Sequence, residues 1–171
     1  ILWNMSLRGG CEHNEEEGDQ LLGFADFFEI IRPSHKSNCP RETLEANVGN
    51  INIKMMRTKH IPDSSPSWES SFWSTGVVID DKVFFTGDTR YDPELVTSFE
   101  KEFNFEAIFH DCQFFTGGVH ASIDELNNFD ENIKSKMYLV HYGDNWEDFD
   151  KMVEEYKFAA FGRQHVRYIF D

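Results

Sequence analysis

Positive charge is scarce in this chain. Across 171 residues, 16 Lys and Arg stand against 31 Asp and Glu, for a formal net charge of −15. Affinity for a phosphate backbone comes from clustered cations, so no extended nucleic-acid surface is expected and a large structured RNA is a poor substrate. Cysteine is equally short: Cys11, Cys39 and Cys112 are odd in number and show no Cys-x-x-Cys spacing. This excludes a disulfide framework and a thiolate zinc site, and leaves three buried or half-buried thiols. No apolar run approaches the roughly 18 residues of a membrane-spanning helix. A soluble, cytoplasmic chain with no membrane partner is therefore expected. Internal repeats and low-complexity segments are absent as well.

What the chain does have is phenylalanine, 17 in all, enough to fill strands and helix faces of a single domain over residues 1–171. Residues 1–8 have helical spacing, with Gly9-Gly10 as the stop, followed by an acidic loop through Glu15-Glu16-Glu17 to Asp19. A short helix and then a strand are expected within residues 20–31. His13 and His35 fall among carboxylates and turn-formers and read as surface residues. Residues 44–56 predict one or two strands around a Val48-Gly49-Asn50 turn, and Ile61 to Trp68 an irregular loop. Residues 71–79 and 82–86 predict a hairpin turning at Asp80-Asp81. Pro93 to Phe103 predicts a helix that opens on its proline. Ala107 to Phe109 and Leu139-Val140 predict core strands, with Ser122 and Glu125 spaced as a capping box between them. Residues 146–156 predict an amphipathic helix, and residues 166–170 a closing strand in which His165 packs. Strands alternating with helices predict an α/β sandwich.

Three predicted strands each end on a metal-competent side chain. The strand in residues 51–56 leads to Thr58-Lys59-His60, the one in 83–86 to Gly87-Asp88-Thr89, and the one in 137–140 to His141. That order resembles the metallo-β-lactamase superfamily, in particular the branch of ribonuclease Z and its phosphodiesterase relatives. Two further stretches are similar to that branch. Phe109-His110-Asp111-Cys112-Gln113-Phe114 looks like its His-Glu-Ala-Thr-Phe segment, and His120-Ala121-Ser122-Ile123-Asp124 like its His-Ser-Thr loop. The family's His-x-His-x-Asp-His loop occurs nowhere in these residues. The expectation is thus about the C-terminal half or more of a metallo-β-lactamase-like αββα sandwich, cut from a longer hydrolase after its first metal-binding loop.

The resemblance implies a dinuclear zinc site, with manganese as the other candidate ion. His60, Asp88 and His141 would be metal ligands and Asp88 the bridge, since one carboxylate offers two oxygens to two cations. The three should then lie within ~15 Å of one another, well inside the span of two shared metals. Asp88 is counted in the catalytic set with His120, the implied general acid, and Asp124, the carboxylate that orients it. Asp111 is expected to accept from a ligand imidazole, with His110 as its neighbour.

The short interval from His60 to Gly87 and the acidic balance favour a small phosphodiester, such as a cyclic nucleotide, or an RNA end. Alternatives are an ester, thioester or lactone hydrolase of the same fold, or a non-catalytic module without a complete metal site. Half a sandwich leaves an apolar sheet face bare, which predicts a homodimer. With the first loop missing, these residues by themselves are expected to hold metal weakly and to be inactive.

Overall fold

The computed structural model describes residues 1–16, 18 and 20–170. Glu17 and Asp19 of the acidic loop, and Asp171, lie outside the described residues. Two compact units are present, residues 1–32 and 33–171.

In the first unit a π-helical stretch, Trp3–Leu7, runs directly into α1 (Arg8–Cys11), and α2 follows at Phe24–Phe27. Gly9-Gly10 therefore does not stop the helix. The Glu12 amide bonds to the Arg8 carbonyl at 2.9 Å, and the Arg8 guanidinium pairs with the Glu12 carboxylate at 2.7 Å, closing that turn around the glycines. Trp3 packs edge-on against Phe24. No strand forms in residues 28–31.

The second unit is mixed α/β, as the alternation predicts. Its strands are β1 (Ser34–Lys36), β2 (Thr43–Val48), β3 (Ile51–Arg57), β4 (Thr75–Ile79), β5 (Val83–Phe85), β6 (Ala107–Asp111), β7 (Met137–Val140) and β8 (Ala160–Phe161). They lie in the sheet in chain order. β1 to β5 form an antiparallel meander, and β5 to β8 continue it in parallel. Asp80 and Asp81 make the β4–β5 turn with φ of 50° and 60°, a mirror-image turn that matches strand twist. β1 was not expected: His35 lies on it, opposite Leu44, and remains exposed.

Helices supply the parallel crossovers. α3 (Pro93–Phe103) is capped by Asp92, whose side chain accepts from the Leu95 amide, and ends on left-handed Asn104. α4 (Ile123–Leu126) carries the capping box of Ser122 and Glu125, α5 spans Glu131–Lys134, and a 3₁₀ turn at Trp146–Phe149 leads into α6 (Asp150–Tyr156).

Paired residues share a face, so Met56, Val78, Phe84, Ile108, Met137, Leu139 and Phe161 form one side of the sheet. They pack in the core with Leu95, Val96, Phe99, Ile123 and Val153 from the helices. The opposite side presents Leu44, Ile53, Met55, Val77, Ile79, Val83, Phe85, Phe109 and Tyr138. Tyr168 and Phe170 lie edge-on against Phe109 there. Residues 166–170 therefore cover part of that face without forming the expected closing strand, and His165 is exposed in a turn rather than packed.

Candidate metal centre

The site lies where the strands end. Gly87 follows β5 at φ +61°, and a Cβ there would stand 2.3 Å from the Thr75 carbonyl oxygen. Only glycine lets the chain pass that close to β4. The turn then delivers Asp88, whose own carbonyl accepts from Thr58 Oγ1 at 3.0 Å and Ser74 Oγ at 2.7 Å. With its backbone gripped, the side chain projects half-exposed. His60 follows β3, and the Arg90 guanidinium secures the loop behind it by donating to the carbonyls of His60, Asp63 and Ser65. His141 follows β7 in the left-handed region at φ 59°, an uncommon conformation for a side chain with a Cβ and a frequent mark of a functional position. His120 precedes α4, where the Ala121 amide donates to the Thr89 carbonyl at 3.0 Å.

Asp111, at the end of β6, joins these pieces. It is 2% exposed. Its Oδ2 accepts from the Thr89 amide at 2.8 Å and faces His120 Nδ1 at 2.6 Å, while its Oδ1 faces His141 Nδ1 at 3.1 Å. His60 Nδ1 lies 2.9 Å from the Val119 carbonyl oxygen. Each partner is an acceptor, so the hydrogen-bond pattern assigns a proton to Nδ1 of all three rings and leaves each neutral ring's lone pair on Nε2. Asp88 lies between two of them, with Oδ2 at 3.9 Å from His60 Nε2 and Oδ1 at 3.4 Å from His141 Nδ1. The His120 ring centroid is 5.2 Å from that of His60 and 4.7 Å from that of His141.

His60, Asp88 and His141 thus come together, and His120 joins them. This donor set fits a divalent ion such as zinc, which takes imidazole nitrogen and carboxylate oxygen. Asp111, His120 and His141 also offer ligand atoms within 4.8 Å of one another.

Asp124 does not belong. It sits on α4 turned outward, accepting from the Tyr156 hydroxyl at 3.0 Å, and the carboxylate on His120 is Asp111 instead. His110 alternates with Asp111 along β6 and faces the core. Its Nδ1 bonds the Asp111 carbonyl at 2.7 Å, its Nε2 has no partner, and burial lowers its pKa. His13 is exposed in the first unit. The contributions not anticipated from sequence are the Thr89 amide, the Val119 carbonyl, and the Thr58 and Ser74 hydroxyls. Backbone groups carry no residue signature, and a lone Ser or Thr at a strand end is too common to single out.

A family model described as Anti-Pycsar protein Apyc1 matches residues 1–168. The Anti-Pycsar protein Apyc1 of Bacillus phage BSP38 is 36% identical over 167 residues, covering 96% of this chain and 60% of that protein. That of Bacillus phage 010DV004 is 34% identical over 169 residues, covering 96% and 61%, and that of Paenibacillus harenae 32% identical over 149, covering 86% and 54%. The chain spans between half and two thirds of the length of these relatives. Among solved structures, the metallo-beta-lactamase fold protein YhfI from Bacillus subtilis aligns with a TM-score of 0.48 at 16% identity, over 68% of this chain and 47% of that one. With the family model matching nearly its whole length, the chain belongs to the Anti-Pycsar protein Apyc1 family.

Proposed function

We propose that this chain carries the later ligands and the proton donor of a metal-dependent phosphodiesterase, of the ribonuclease Z-like branch of metallo-β-lactamase folds. Its substrate would be a small phosphodiester such as a cyclic nucleotide, or an RNA end. The observation that carries the reading is the Asp88 carboxylate lying between two strand-end histidines, one oxygen toward each. His60, His141 and Asp88 would hold the metal, zinc or manganese. When bound, such ions polarise a phosphoryl oxygen and make water nucleophilic at neutral pH.

Asp111 belongs behind the imidazoles rather than in the ligand set, because it is buried and its two oxygens already face three N–H groups. It holds the His120 and His141 rings by Nδ1 and leaves their Nε2 atoms free of that contact. His120 is the general acid: with Nδ1 held on Asp111, the doubly protonated ring delivers its Nε2 proton to the leaving alkoxide and keeps its place. An anionic substrate small enough to sit within the cleft avoids most of the repulsion of a −15 surface. The relatives bear the name Anti-Pycsar protein, and a cyclic nucleotide is the substrate we assign to this chain.

A zinc site needs three or four protein ligands per ion, more than His60, Asp88 and His141 supply to two ions. The test therefore uses this chain both as it stands and joined to the segment of the Bacillus phage BSP38 relative that it does not cover. Metal-dependent hydrolysis of a chromogenic phosphodiester and of a 3′,5′-cyclic nucleotide is expected from the extended protein. Asp88→Ala should abolish hydrolysis and the metal that survives purification, leaving only weak, fast-exchanging binding. His120→Ala should lower turnover roughly a hundred- to ten-thousand-fold with metal content retained. Turnover of thioesters or lactones with none of phosphodiesters would overturn the reading.

A further inference from the structure

Beside His120 lies an open polar cleft of about 310 Å³, lined by Lys59, Arg90, Tyr91, Gly117, Gly118 and Glu125 among others. Two cations line it, and they differ in what they have left to give. The Arg90 guanidinium is spent on three backbone carbonyls. Glu125 is held by Ser122, whose amide and hydroxyl both donate to its Oε2 at 2.9 Å.

Lys59 is different. Its backbone is fixed, since its carbonyl accepts from the Arg90 amide at 2.6 Å and from Thr89 Oγ1 at 3.2 Å. Its half-buried side chain has no ion-pair partner among the described residues, although acidic side chains outnumber basic ones by 31 to 16. Other half-buried or buried cations of this unit have polar partners: Lys54 pairs with Asp81 and Glu45 and Arg41 with Asp92, while Arg57 donates to the carbonyls of Glu69 and Ser71 and Lys134 to Asn127. An ammonium without an ion-pair partner, on a residue that lines the same cleft as His120, Asp63 and Glu125, is matched to a negative group that arrives from outside.

We propose that Lys59 binds the phosphate of the substrate, its ammonium pairing with a non-bridging phosphate oxygen while the scissile bond faces His120. This rests on the phosphodiesterase reading and adds to it the residue that recognises the substrate's charge. Asp63 and Glu125, which line the same cleft, repel the anion and are acceptors suited to the hydroxyls of a sugar.

The test is equilibrium binding by saturation-transfer NMR, which reads weak complexes, on the 171-residue chain and its Lys59→Gln and Lys59→Arg variants. The probes are a non-hydrolysable cyclic adenosine phosphorothioate and, as an uncharged control, adenosine. Lys59→Gln should weaken phosphorothioate binding roughly ten- to a hundredfold, the range for a charged hydrogen bond, and leave adenosine binding unchanged. Lys59→Arg should recover most of the loss. Equal phosphorothioate binding by wild type and Lys59→Gln would overturn the proposal alone, as would equal weakening of both probes, which would mark a structural residue. A wild-type chain that binds phosphorothioate no better than adenosine, with the extended protein inert to phosphodiesters, would overturn the proposal and the phosphodiesterase reading together.

Discussion

Asp111→Asn is the substitution that most directly tests how the cluster is built. The amide is nearly isosteric with the carboxylate, so the core around β6 need not repack, but one oxygen becomes an NH₂ donor. If that donor took the place of Oδ2 it would confront two donors, the Thr89 amide and His120 Nδ1. In the place of Oδ1 it confronts one, His141 Nδ1 at 3.1 Å. The second orientation costs less, and His141 must then move its proton to Nε2 and accept on Nδ1. The affected nitrogen is the one expected to ligate metal. Losing a carboxylate partner behind a ligand imidazole typically costs 10- to 100-fold in metal affinity, about 1.4–2.7 kcal/mol, which agrees with the 1.5–3 kcal/mol of one charge-assisted hydrogen bond. Two measurements check this. Chelator competition for zinc should show the affinity loss, and long-range ¹H–¹⁵N NMR of labelled histidine should show the tautomer change at His141 with His120 unaltered. An unchanged tautomer at His141 together with wild-type zinc affinity would refute the assignment of Asp111 as its anchor.

Other outcomes follow from single features of the structure. Gly87→Ala should lose about 2 kcal/mol or more in denaturant unfolding, because it adds the cost of a left-handed alanine, ~1–2 kcal/mol, to a backbone clash with Thr75; a change under ~0.5 kcal/mol contradicts this. Burial pushes the Cys112 thiol up to about 12, so at pH 8 iodoacetamide should modify Cys11 and Cys39 in the native protein and reach Cys112 only after unfolding. Burial depresses the His110 pKa, so the unfolded chain takes up a proton there before the folded one does. Stability is then fully present above the ordinary histidine value of ~6.5 and falls by up to ~1.4 kcal/mol per pH unit below it; His110→Phe should flatten that slope, and an unaltered slope would count against it. The outer sheet face, which Tyr168 and Phe170 cover only in part and on which Phe85 stays exposed, should drive self-association into a dimer in sedimentation, broken by Val77→Glu with Phe85→Glu, whereas a wild-type monomer at tens of micromolar would argue that the exposed part is tolerated.

Local chemistry was legible in the sequence where a single segment decided it. Pro93 and the helical spacing of Leu95, Val96, Phe99 and Phe103 set α3, and a run of β-formers into Gly-Asp-Thr set β5 and the turn after it. Contacts that close through space were not legible. Asp124 is four residues from His120 and Asp111 is nine, so sequence proximity favours the wrong carboxylate; α4 carries Asp124 outward to Tyr156, while the bridge between Gln113 and Ser122 folds His120 back over the end of β6. The closing strand expected at residues 166–170 failed for a related reason: Tyr168 and Phe170 lie on the outer sheet face at Phe109, and among the described residues no strand pairs with their backbone. Residue type reports that a segment favours a strand, and only the fold decides whether a neighbouring strand is there.

The three imidazoles are anchored from behind, and this separates two properties that mutational loss of metal would otherwise confuse. Their Nδ1 atoms are held by a buried carboxylate and a backbone carbonyl, neither of which needs an ion in order to form. The direction of each Nε2 is therefore set by folding. Asp88 has no such restraint on its carboxylate; its backbone is fixed while its side chain is half-exposed. Affinity that depends on Asp88 is affinity for the ion itself, whereas affinity that depends on Asp111 is the advantage of rings already turned toward it. Zinc should thus still be felt by His60 and His141 in Asp88→Ala as weak, fast-exchanging shifts of the Nε2 resonances, and in Asp111→Asn the His141 shift alone should disappear. If Asp88→Ala instead disordered all three rings, the carboxylate would be holding the cluster together, and the anchoring from behind would not be what orients it.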